Sequence, residues 1–100
     1  MVPALKFPAQ TPMPFTREGV EGIDEGQVGC YALLDAERVI VLIGSGDIRA
    51  RLLAHLEAPG PALAEARPTH WMGVVTPKAA VLERELIASY RPRCNVPPGS

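Results

Sequence analysis

The sequence predicts an α+β domain, a three-stranded antiparallel sheet flanked by helices in the order strand, strand, helix, strand, helix. Two apolar runs, Val28–Leu34 and Val39–Ile43, are joined by the short polar linker Asp35-Ala36-Glu37-Arg38, the pattern of a β-hairpin. A third apolar run, His70–Val75, lies between two stretches of helical periodicity. At 100 residues the chain supports one domain with one modest core. A composition of 47% hydrophobic and 21% charged residues argues against wholesale disorder. No apolar run reaches the ~20 residues of a membrane-spanning helix.

Residues 1–27 read as an N-terminal arm with a short helical turn. Pro3, Pro8, Pro12 and Pro14 remove backbone donors and block regular structure. Thr16 is placed to cap one or two helical turns that leave through Asp24-Glu25-Gly26. In the hairpin, Val39–Ile43 is apolar on both faces and is expected to be a central strand. Gly44-Ser45-Gly46 is expected to break it, with Asp47 as N-cap of a helix over Ile48–Leu56. That helix carries Ile48, Leu52 and Leu56 on one stripe and is expected to end at Ala58-Pro59-Gly60-Pro61. Residues 62–69 fit either a helical turn or a loop. After His70–Val75, Thr76 as cap and Pro77 at the first helical position start a helix whose body is Lys78–Tyr90. Arg91-Pro92 stops it. The domain proper is expected over residues 28–95, with 96–100 as a tail.

The net charge of −1 excludes a uniformly basic nucleic-acid coat protein. The charge is uneven, however: residues 1–40 are net acidic and residues 41–100 net basic, so an anionic partner is expected beyond residue 41. Cys30 and Cys94 make no disulfide framework, and no His/Cys spacing suits zinc. The N-terminus has no basic cap followed by an apolar stretch, so a cytoplasmic location with free thiols is expected.

Gly29-Cys30-Tyr31 on the first strand and Leu42-Ile43-Gly44 on the second resemble the paired motif of the GIY-YIG nucleases. The helix Asp47–Leu56 is similar to that family's arginine-bearing helix. Leu82-Glu83 through Tyr90-Arg91-Pro92-Arg93-Cys94-Asn95 resembles its glutamate helix and terminal asparagine. The resemblance covers residues 28–95 and extends to the nuclease domain of the bacterial excision-repair incision subunit. It implies a DNA endonuclease that hydrolyses phosphodiester bonds with one divalent metal, Mg2+ or Mn2+, and a link to DNA repair. Residue by residue, it implies Tyr31 as general base on the attacking water and Arg51 on the scissile phosphate. It implies His55 assisting at the phosphate or water, Glu83 as metal ligand, and Asn95 fixing the site by hydrogen bonds.

The residue chemistry agrees. Arg51 and His55, four apart, share a helix face. A guanidinium fork suits phosphate, and a lone carboxylate suits magnesium, which retains water. Two positions depart from the family pattern: Leu42 replaces the second tyrosine, and Ser45, which cannot supply a cation, stands where a lysine or another polar residue is common. They favour an alternative, a catalytically degenerate DNA- or protein-binding module. A small domain has little room for sequence readout, so branched or flapped DNA, or targeting by a protein partner, is expected. The constellation is a site only if Tyr31, Arg51, Glu83 and Asn95 converge.

Overall fold

The computed structural model describes residues 6–95. Its elements are β1 (Met13–Pro14), α1 (Arg17–Glu21), β2 (Val28–Leu34), β3 (Ile40–Asp47), α2 (Ile48–Glu57), α3 (Gly60–Ala66), β4 (His70–Val75) and α4 (Ala79–Tyr90). The tail 96–100 and the first five residues of the arm lie outside the described residues. The sheet is antiparallel and has four strands, in the order β1-β4-β2-β3, rather than the expected three. The extra strand comes from the Pro-rich stretch. Proline density blocks a long strand but permits a two-residue one at a sheet edge, where Pro14 needs no partner for a missing N–H. Met13 pairs with Trp71, and the Phe15 N–H donates to the Thr69 carbonyl at 2.9 Å. Further along the same edge, the Gln10 side chain reads both polar groups of Gly73. Its Nε2 donates to the Gly73 carbonyl and its Oε1 accepts from the Gly73 N–H, each at 3.0 Å. A side-chain amide thus stands in for a strand and covers backbone that would otherwise invite another chain.

The hairpin forms as expected, closed by Asp35, whose Oδ1 accepts from the Glu37 and Val39 N–H groups. Its second strand differs in two respects. It begins at Ile40, because Val39 belongs to the turn, and it does not break at Gly44-Ser45-Gly46 but runs on to Asp47. The reason is pairing: Val28, Gly29, Cys30 and Tyr31 need partners, and Asp47, Gly46, Ser45 and Gly44 supply them. The central, two-faced strand is β2, not β3. The outer edge of β3 is covered instead by the C-terminal segment, where the Cys94 N–H donates to the Val41 carbonyl at 2.9 Å.

The caps at Thr16 and Asp47 form: Thr16 Oγ1 accepts from Gly19 N–H and Asp47 Oδ1 from Ala50 N–H, both at 3.0 Å. Asp47 Oδ2 also accepts from Gly26 N–H at 2.9 Å, tying the loop before β2 to the start of α2. Beyond Ala58, the Pro-Gly-Pro run that ends α2 also opens α3, because Pro61 at an early helical position loses no needed donor. Residues 60–66 are thus helical and end at Arg67 in the left-handed conformation. Thr76 does not cap the last helix. Its Oγ1 accepts from Lys78 N–H at 3.1 Å in a local turn, and α4 starts only at Ala79.

Two apolar layers cover the sheet. On one face Tyr31, Leu33 and Val41 pack with Phe15, Val20, Ile48, Leu52 and Leu63, joining the sheet to α1, α2 and α3. On the other, Cys30, Ala32, Leu34, Ile43 and Met72 pack with Phe7, Ala79 and Leu86 under α4. Burying a side chain such as Leu52 or Leu86 stabilises by roughly 1.5–3 kcal/mol. The alternation also separates the thiols. Cys30 donates to the Ala79 carbonyl at 3.1 Å on the α4 side, whereas Cys94 packs against the opposite cluster beside α3. Burial, first, and the Glu83 charge push the Cys30 thiol up, so it behaves as a neutral donor. Among the described residues no helix is long and apolar enough to cross a membrane.

Candidate active site

Tyr31 sits at the middle of β2 with a glycine opposite it on each neighbouring strand, Gly44 on β3 and Gly73 on β4. Its ring faces α2, which presents Arg51 and His55 from consecutive turns. The Tyr31 hydroxyl lies 2.8 Å from His55 Nε2, with the ring centroids 5.6 Å apart. The Arg51 guanidinium acts on the same hydroxyl and favours its ionised form. Gly44 is required here, since a Cβ at that position would fall inside the van der Waals surface of the Tyr31 hydroxyl. The asparagine placement follows too. Asn95 Oδ1 accepts from Ile43 N–H at 2.7 Å and its Nδ2 donates to the Ile43 carbonyl at 2.8 Å, holding the strand one residue before Gly44.

The Arg51 cation favours the arrangement in which the Tyr31 oxygen turns its lone pairs to the guanidinium and its proton goes to His55 Nε2, which keeps the His55 ring proton on Nδ1. Burial pushes the Tyr31 phenol above its usual range; Arg51 pulls it back in part, and the Glu83 charge adds to the rise. Burial, and then the Arg51 charge, lower His55 below its usual value of 6.5. At neutral pH the resting pair is therefore a phenol and a neutral imidazole. The shift makes stability pH-dependent. Between pH 6.5 and the lower native value the unfolded chain binds more protons, so stability is present above 6.5 and is lost as pH falls through the native value. Thermal melts from pH 7 to 5 are expected to show this loss in the wild type and a flatter dependence in His55→Gln.

Glu83 approaches from α4. Ser45, paired with Cys30, points to that face, and its Oγ donates to Glu83 Oε1 at 3.0 Å. Glu83 Oε2 accepts no hydrogen bond from the described residues. Among them, no group of three or more His, Cys, Asp and Glu side chains gathers. The donor set is thus one carboxylate with a free oxygen. That suits magnesium or manganese, which keep several waters and take phosphate oxygens from substrate, and does not suit zinc.

The five residues expected from the sequence flank the Ile43–Ser45 stretch of β3 from two sides. On the α2 side Tyr31 hydrogen-bonds His55, with Arg51 acting on the same hydroxyl. On the α4 side Glu83 bonds Ser45 and reaches Tyr31 through its charge alone. Asn95 holds the strand at Ile43. Arg51 is exposed and His55 half-buried, so the group opens toward α2. Leu42 supplies no hydroxyl and packs against the apolar cluster instead. Ser45, which the sequence offers only as a departure from the family pattern, is instead the hydrogen-bond partner of Glu83. Its shared parity with Cys30 puts it on the α4 face once the strand is read through to Asp47. A separate groove of about 480 Å3, lined by Met13, Ile23, Ile48, Trp71 and Val75, includes none of the five. No family model matches the chain, and no curated protein matches it.

Proposed function

We propose that the chain is a GIY-YIG-type endonuclease that hydrolyses DNA phosphodiester bonds with magnesium or manganese, directed by DNA structure rather than sequence. The observation that carries this reading is the hydrogen bond between the buried Tyr31 hydroxyl and His55, with the Arg51 and Glu83 charges both acting on that hydroxyl. In the proposed reaction a water oxygen bonds to phosphorus as the bond to the leaving oxygen breaks. The water proton passes to Tyr31 as the Tyr31 proton passes to His55 Nε2, and solvent protonates the leaving oxygen. Tyr31 is only 1% exposed, so His55, the more accessible partner, completes the base. Arg51 offers its guanidinium to the non-bridging oxygens, where charge grows in the transition state. Glu83 would hold the metal, which supplies Lewis-acid stabilisation of the same charge.

The proposed DNA contact is weak, because a chain of net charge −1 neutralises few phosphates. The test is cleavage of labelled single-stranded, duplex, flap and four-way-junction DNA at low salt, with magnesium, manganese or chelator. Metal-dependent cutting is expected for the wild type, with a loss of about 10²-fold or more in Glu83→Ala and retained DNA binding. The rival reading, a binding module that has lost catalysis, rests on Leu42. It is favoured if the wild type binds DNA but cuts none of the four substrates.

A further inference from the structure

We propose that Ser45 is a positioning residue for the Glu83 carboxylate, a role made possible by the continuous course of β3 through Ser45. The inference rests on the endonuclease reading. By itself Glu83 is a flexible side chain on a helix, able to adopt several rotamers at its last torsions. The Ser45 hydroxyl, donating at 3.0 Å, selects the one in which Oε1 is engaged and Oε2 is left for a cation. Three features hold the donor in place. Ser45 lies within β3 rather than in a loop, paired in register with Cys30. Asn95 clamps the strand at Ile43, two residues before Ser45. Cys30 in turn donates to the Ala79 carbonyl in the first turn of α4, one turn before Glu83, so the helix bearing the acceptor is pinned to the strand bearing the donor. Both side chains are only partly buried, leaving the carboxylate open to a hydrated ion. Ser45 therefore orders a lone metal-binding carboxylate rather than marking a missing charge. Partners that orient a ligand in this way typically account for about 10–100-fold in metal affinity.

The test is Mn2+ titration of the full chain, with the free hydrated ion followed by electron paramagnetic resonance. Wild type, Ser45→Ala, Ser45→Thr and Glu83→Ala are compared, each first checked for folding by its thermal transition. Ser45→Ala is expected to weaken Mn2+ binding about tenfold or more. Ser45→Thr, which keeps the hydroxyl and suits a strand, is expected to bind within about twofold of the wild type. Ser45→Ala binding like the wild type while Glu83→Ala loses binding would overturn the role of Ser45 and leave the endonuclease reading standing. Weakening in Ser45→Thr equal to that in Ser45→Ala would also overturn it, because the effect would then follow packing rather than the hydroxyl. Unchanged binding in Glu83→Ala would instead remove the metal role of Glu83, and the Ser45 proposal with it.

Discussion

Alanine at position 44 is expected to destabilise the domain by about 1–3 kcal/mol or more and to abolish cleavage. Its Cβ would overlap the Tyr31 hydroxyl and the ring carbon that bears it. Neither side can yield easily. Tyr31 is fully buried and walled by Leu33, Ile48 and Leu52, so its ring has no alternative space. Gly44 cannot retreat, because it is in register with Tyr31 and its neighbour Ile43 is held by both amide atoms of Asn95. For a domain of this size each kcal/mol lowers the melting temperature by roughly 4–8 °C. Gly29→Ala is expected to be at least as damaging, since its Cβ would meet the Val74 carbonyl and the Val75 Cα, which are backbone atoms. Gly22→Ala is the control. Its nearest neighbours stand at 3.7 and 3.8 Å, ordinary contact, and a change within about 0.5 kcal/mol is expected. Thermal melts of the three variants check the order, and a near-wild-type transition for Gly44→Ala would mean that Tyr31 is less confined than its burial indicates.

Those two glycines also mark where local reasoning stopped being enough. The runs Val28–Leu34 and His70–Val75 were legible at both ends, and the caps at Thr16 and Asp47 were legible from side-chain chemistry alone, because each signal is contained in its own segment. Gly44-Ser45-Gly46 misleads because glycine is disfavoured in strands, whereas here the absent side chain is what lets β3 pass Tyr31. Met13–Pro14 misleads for a related reason: nothing in a Pro-rich stretch announces that Trp71 will offer it an edge. In Ala58-Pro59-Gly60-Pro61 the residues that stop one helix also begin the next, and composition cannot separate the two uses. The site divides in the same way. Arg51 and His55 share a face by helical spacing alone. Glu83 and Ser45 meet only because strand parity and the docking of α4 bring them together.

Tyr31→Phe is expected to reduce cleavage by about 10²–10⁴-fold, the usual range for loss of a general base, while leaving the ring packed in its core site. Loss of the hydroxyl removes its hydrogen bond to His55, which lowers stability by about 1 kcal/mol, too little to unfold a typical domain. The proposed base is a unit, so its parts should not add. If Tyr31 accepts the water proton only as His55 accepts its own, then Tyr31→Phe, His55→Ala and the double variant should all cut at similar residual rates. The pH profile gives a second, independent reading. Because burial and Arg51 lower His55, the wild-type rate should hold at pH 6.5 and fall only as pH drops through the lower native value. In Tyr31→Phe that acid limb should flatten, since the imidazole no longer receives a proton from the phenol. Losses that multiply in the double variant would separate Tyr31 and His55 into independent roles. An unimpaired Tyr31→Phe would make the phenol a packing residue, and the proton acceptor would then have to be His55 acting directly on water.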